Sequence, residues 1–233
     1  MKEMNENANR ATARRQWKIV SGGQTGVDRA GLSAALACGL PYGGWIPKGR
    51  RAEDGIVPGF YRNMKEHASA SYPARTKANV RDSDATLVLV VTTPLSPGTQ
   101  LTVDAARKFG RQFKVVCMRD ADAVAQIRDW MLRLESTVRP DDASALLLNV
   151  AGPRESKSPG IFVRARQILV QVFASLRVPS SGALCAASAD GSYSGGKHSG
   201  SFGALMFSSD GGASGSGALA AEDPGRCDDS PSA

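Results

Sequence analysis

Between Trp17 and Val178, short apolar runs alternate with longer amphipathic stretches, separated by turns rich in glycine or proline. Lys18–Ser21 (KIVS) is a brief apolar run ending at Gly22-Gly23, which reads as a buried strand. Asp28–Cys38 carries Ala and Leu at helical spacing and closes on Gly39, so a helix with glycine just past its end is predicted. Gly43–Ile46 predicts a weak strand halted by Pro47. Residues 48–72 read as loop, with a strand near His67–Ser71, and Arg75–Asp82 reads as a helix. Thr86–Val91 (TLVLVV) is an unbroken β-branched and leucine run with no polar alternation, the pattern of a strand buried on both faces. A helix over Thr99–Phe109, a strand over Phe113–Met118, an amphipathic helix over Asp122–Leu134, a strand over Leu146–Val150 and a helix over Ile161–Leu176 complete the pattern.

Strands and helices that alternate, with continuously apolar strands, predict an α/β fold: a doubly wound, mainly parallel sheet with helices on both faces. The pattern stops at both ends. Residues 1–16 are polar and are expected to form a flexible N-terminal arm, leaving 17–178 as the folded domain. From Pro179 to Ala233, Ser, Gly and Ala supply 34 of 55 residues. Such a segment buries too little apolar surface to offset its ordering entropy, so 179–233 is expected to be a disordered tail.

Charge sharpens this division. The net charge of +7 is the sum of +3 over residues 1–18, +8 over 19–178 and −4 over 179–233. The basic groups therefore concentrate in the domain, which favours an anionic partner. No aromatic-interleaved basic stripe or known nucleic-acid motif accompanies them, so a small anion is expected rather than nucleic acid. No apolar stretch reaches 18 residues, so neither a membrane span nor a membrane partner is expected, and the N-terminus lacks the apolar region of a secretory signal. The four cysteines form no C-x-x-C pair and the chain has two histidines, so no metal site is expected. Reduced cysteines in core elements fit a cytoplasmic setting.

In an open parallel sheet, ligands bind beyond the carboxyl ends of the strands. The first strand runs into Ser21-Gly22-Gly23-Gln24-Thr25-Gly26-Val27-Asp28. Glycines let backbone N–H groups approach an anion, and the following helix turns its positive end to the same spot. Gly22, Gly23, Gln24, Thr25 and Gly26 are thus candidate phosphate-binding residues. The loop after the second strand carries Lys48, Arg50 and Arg51, which read either as a phosphate clamp or as a solvated basic turn. The strongest strand leads to Ser96-Pro97-Gly98-Thr99 and a helix; Ser96, Gly98 and Thr99 either donate to an anion, cap the helix, or do both. The last strand brings Asn149 and Arg154 to the same edge.

Candidate carboxylates are Asp28, Glu53, Asp54, Asp82, Asp84 and Asp104. Asp28 compensates a helix dipole, Glu53 and Asp54 pair readily with the arginines before them, and Asp104 faces either pocket or solvent. No residue is assigned a catalytic role; Asp104 and Glu53 are the candidate acid/base groups for the alternative that the chain is an enzyme. No nucleophile elbow is present. Trp17, Trp45 and Tyr42 read as packing residues.

Five runs carry a resemblance: Ile19–Ala30 (IVSGGQTGVDRA), Leu40–Gly55 (LPYGGWIPKGRRAEDG), Asn79–Ala85 (NVRDSDA), Ser96–Thr102 (SPGTQLT) and Asn149–Gly160 (NVAGPRESKSPG). In order and spacing they resemble the molybdenum carrier (molybdenum cofactor carrier) family of the SLOG group, across nearly all of 17–178. The resemblance implies a Rossmann-like domain that binds molybdenum cofactor, a molybdopterin, as cargo. It also implies a homo-oligomer with molybdoenzymes as recipients, and a pocket at the glycine, basic and Ser96–Thr99 loops. More distantly, the chain is similar to phosphoribohydrolases that hydrolyse nucleoside monophosphates. In their P-G-G-x-G-T-x-x-E pattern, the catalytic glutamate has no match after Pro97-Gly98-Thr99, where the acid is delayed to Asp104.

Overall fold

The structure, a computed structural model, describes residues 16–138 and 144–176. The expected tail 179–233 and all but the last residue of the expected arm 1–16 lie outside the described residues. The elements in chain order are β1 (Trp17–Val20), α1 (Val27–Ala37), β2 (Tyr42–Ile46), a 3-10 turn (Lys48–Arg50), β3 (Arg51–Ala52), β4 (Gly55–Ile56), β5 (Met64–Glu66) and α2 (Tyr72–Arg81). They continue as β6 (Ala85–Val90), α3 (Pro97–Lys108), β7 (Gln112–Cys117), α4 (Ala123–Thr137), β8 (Leu146–Ala151), a second 3-10 turn (Glu155–Lys157) and α5 (Ile161–Ser175).

Six strands form one sheet in the order β5-β2-β1-β8-β6-β7, and every pairing is parallel. Strand β8, the last among the described residues, thus sits near the middle. Leu148 of β8 is in register with Ile19 on one side and Ala85 on the other. Strand β6 shows why the sheet needs two covering layers. All six of its residues are buried. Leu87 and Leu89 join the main core with residues of α1, α4 and α5, whereas Val88 and Val90 pack with Val103 of α3. Alternate side chains of a strand point to opposite faces, so helices cover both. Each fully buried leucine contributes roughly 1.5–3 kcal/mol.

The fold is the Rossmann-like α/β architecture expected from the pattern, with local corrections. The short strand lies at Met64–Glu66 rather than His67–Ser71. Helix α2 begins at Tyr72, not Arg75: Ser71 caps it by accepting from the Ala74 N–H, and Pro73 sits in the first turn, where it removes no helical hydrogen bond. Residues 51–56 form a small antiparallel hairpin, β3–β4, where loop was expected. Trp17, Trp45 and Tyr42 pack as anticipated. Trp17 is buried and donates its indole N–H to Glu135 at 2.8 Å, Trp45 donates to Asp82 at 2.7 Å, and Tyr42 meets Tyr61 edge-on.

Candidate functional site

A cavity of about 510 Å³ opens at the carboxyl ends of β1, β8 and β6, between α2 and the start of α3. Its floor is the glycine loop after β1. Gly22 lies under the Arg75 guanidinium so closely that any β-carbon on it would overlap the guanidinium. Gly26 has φ 73°, and a side chain there would also press within 2.5 Å of the Pro153 carbonyl. Val27 donates its N–H to that carbonyl at 3.3 Å. The loops after β1 and β8, distant in sequence, are thereby held against each other.

Gln24 and Arg75 give the cavity its chemistry. Gln24 is 4% exposed. Its Oε1 accepts from the backbone N–H groups of Thr25 (3.1 Å) and Glu53 (2.9 Å), which fixes the orientation of the amide. Its Nε2 is buried and has no partner. Arg75 is 7% exposed; Nη1 donates to Asp28 Oδ2 at 3.0 Å, while buried Nε has no partner. Both residues line the cavity. An unmade hydrogen bond on a buried donor costs about 1–3 kcal/mol, and both residues carry that cost beside the same cavity.

Asp28 lines the same wall and also accepts from the Gln24 N–H at 3.3 Å. Burial pushes its carboxyl above the ordinary aspartate range, and the Arg75 charge opposes that rise only in part. The cavity lining counts three cations, Arg75, Arg154 and Lys157, against the single carboxylate of Asp28. Helix α3 adds its N-terminus. Ser96 Oγ accepts from the Thr99 N–H and lies 2.9 Å from Thr99 Oγ1, so capping is real, and Ser96, Gly98 and Thr99 also line the cavity. The space beside Gly98 is open. Asn79 is spent structurally, clamping both backbone polar groups of Trp45.

Of the residues singled out from the sequence, Gly22, Gln24, Asp28, Ser96, Gly98, Thr99, Asn149 and Arg154 come together around the cavity, and Gly23, Thr25 and Gly26 shape its floor without lining it. Lys48, Arg50 and Arg51, read as either a clamp or a solvated basic turn, do not line this cavity. Gly49 and Arg50 both have positive φ, and the chain curls so that the Arg50 guanidinium donates to the carbonyls of Val57, Pro58 and Tyr61. Lys48 and Arg51 point to solvent.

The candidate acid/base groups also lie elsewhere. Asp104 is exposed and accepts from Gln100 Nε2 at 2.8 Å. Glu53 accepts from Thr25 Oγ1, Ser156 Oγ and the Ser156 N–H, tying the β3–β4 hairpin to the loops after β1 and β8. Burial pushes its carboxyl up, but those hydrogen bonds and the Arg154 charge outweigh it and hold the group below the ordinary range. Beside it, Asp54 takes a 2.7 Å bond from Arg29, whose Nε donates to the Gly23 carbonyl. The hairpin therefore acts as a clasp on the glycine loop.

Arg75 was missed in the sequence because a lone arginine in a helix has no motif. The signal available was the pairing of Gly22 with a buried charge, and it exists only in three dimensions.

Apart from the Asp28 carboxylate, the charged and hydroxyl groups of the lining are N–H and O–H donors. Among the described residues no group of three or more His, Cys, Asp or Glu side chains is placed to hold a metal ion, and no helix is long and apolar enough to cross a membrane. The donor set fits a phosphoryl or other oxyanion group.

Comparison with known proteins agrees with this architecture. The model of the circularly permutated YpsA SLOG family matches residues 19–173. A crystal structure from Syntrophus aciditrophicus SB, described as a "putative molybdenum carrier protein", is 37% identical with a TM-score of 0.60, over 69% of this chain and 96% of that one. No curated protein matches the chain. The five motifs thus pointed to the right group, and the chain belongs to the circularly permutated YpsA SLOG family.

Proposed function

We propose that this protein is a carrier that holds a phosphorylated, anionic cofactor in the cavity between α2 and α3 without transforming it. The observation that carries this reading is that Gln24 and Arg75, each with a buried side-chain nitrogen that has no partner (Nε2 and Nε), line the same cavity. The phosphoryl end would lie against them, in the field of the α3 N-terminus. The cargo proposed is molybdenum cofactor, on the strength of the 37%-identical neighbour's description. Its metal would travel on its own ligands, since the lining offers donors to anions. A cytoplasmic homo-oligomer that delivers to molybdoenzymes completes the proposal.

A second reading rests on Asp28. It is the one carboxylate on the cavity lining and is buried beside Arg75, a setting in which a carboxyl group can act as a general acid. In that reading the protein hydrolyses a nucleoside monophosphate. Asp104 and Glu53 are too far committed to other partners to serve.

The experiment is to purify the full chain from its own cytosol, denature it, and identify the released small molecule by mass spectrometry. A phosphorylated pterin supports the carrier. A nucleotide, together with ribose release that the Asp28→Asn substitution abolishes, supports the enzyme and contradicts the carrier.

A further inference from the structure

The cavity has a second feature. At its rim Tyr72 opens helix α2, and the Arg154 guanidinium, carried on the loop after β8, lies over the Tyr72 ring with Cζ 4.8 Å from the centroid. Both residues line the cavity. We infer that Tyr72 and Arg154 form a stacking slot for a flat heterocycle, so that the site selects a ring-bearing phosphate over a bare oxyanion. This rests on the anion site proposed above.

The two halves of the slot differ in stiffness. Tyr72 is a fixed platform: Ser71 caps the helix just before it and Pro73 rigidifies the backbone just after. Arg154 has an anchored backbone and a movable side chain. Its carbonyl accepts from the N–H groups of Lys157 and Ser158, both at 3.1 Å. Its side chain is 39% exposed and, besides the Tyr72 ring, pairs with Glu53 at 4.0 Å. A guanidinium stacked on an aromatic face has the shape and thickness of a planar ring. A ring can therefore settle on Tyr72 while Arg154 closes over its outer face.

The spacing also fits. Tyr72 and Arg75 are three residues apart on α2, so they share a face about one helical turn, roughly 5 Å, apart. Arg75 is buried and Tyr72 half-buried, which sets the anion end deep and the ring end at the rim. Pro73 and Leu101 supply apolar wall beside the ring position.

The test is calorimetric titration of the full chain with inorganic phosphate, ribose 5-phosphate, guanosine monophosphate and neopterin monophosphate, repeated on Tyr72→Leu and Tyr72→Phe. One or both ring-bearing phosphates should bind at least tenfold tighter than ribose 5-phosphate, and which one does so identifies the ring. Tyr72→Leu should remove most of that preference, by roughly five- to a hundredfold. Tyr72→Phe should keep it, which excludes misfolding and any need for the hydroxyl. Phosphate affinity should be the same in all three proteins. Equal binding of ribose 5-phosphate and both ring-bearing phosphates, or a preference that survives Tyr72→Leu, overturns the slot while leaving the anion site intact. No binding of any of the four probes overturns the anion site, and the slot with it.

Discussion

Gly22 and Arg75 claim the same space: a β-carbon on Gly22 would overlap the Arg75 guanidinium and come within 2.7 Å of Asp28 Oδ2. The glycine is therefore needed for what lies above it. Gly22→Ala should push Arg75 out of place, costing about 1–3 kcal/mol by overpacking. Phosphate affinity should fall at least tenfold. Urea unfolding and phosphate titration of this one variant check both. Unchanged affinity would mean that Arg75 does not face the ligand.

Arg50 should behave in the opposite way. Its guanidinium holds three loop carbonyls and lies away from the cavity. Arg50→Ala should cost about 1–3 kcal/mol of stability through those lost bonds. Phosphate affinity should change less than twofold. Asp104→Asn should alter neither quantity, since Asp104 is exposed. A large loss of binding in Arg50→Ala would return the basic loop to the site.

Two aspartates should show opposite dependence on pH. Burial raises Asp28 above the ordinary range, so the folded protein binds its proton more tightly than the unfolded chain does. Its contribution to stability is full below about pH 3.9, the ordinary aspartate value, and is lost as pH rises through the raised folded value. Asp54 is held low by its hydrogen bond from Arg29. Its contribution is full above about pH 3.9 and is lost as pH falls through the lowered value. Unfolding of native, Asp28→Asn and Asp54→Asn chains from about pH 3 to pH 7 measures this. As pH rises, the stability of the native chain relative to Asp28→Asn should fall, and that relative to Asp54→Asn should rise. Slopes of the same sign would contradict the assigned environments.

What was legible in the sequence follows from which forces are local. The run TLVLVV announced a strand buried on both faces, and Ala85–Val90 is buried throughout. That the glycine loop and Ser96–Thr99 meet at one edge was legible because the carboxyl edge of a parallel sheet follows from strand direction alone. The insertion of β8 between β1 and β6 was not legible, because strand order depends on pairings between segments more than 60 residues apart. Which of its two readings the Lys48–Arg51 run would follow was not legible for a related reason. Its charge is visible in the sequence, but the carbonyls of Val57, Pro58 and Tyr61 that absorb Arg50 are visible only once the loop is folded. Arg75 lay hidden for the converse reason: its meaning comes from Gly22 and Asp28, which are remote in the chain.

The central claim is that Gln24 Nε2 and Arg75 Nε wait for an anion, and Gln24→Glu tests it most directly. One glutamate oxygen can still accept from the Thr25 and Glu53 N–H groups, as Oε1 does now. The other oxygen then replaces the donor with a charged acceptor of the same shape. Calorimetric titration of inorganic phosphate into the native chain and this variant, at matched chloride, is the measurement. Binding by the native chain and a loss of a hundredfold or more in Gln24→Glu, with the unfolding transition retained, is the result expected. Equal phosphate affinity in the two proteins would contradict the account.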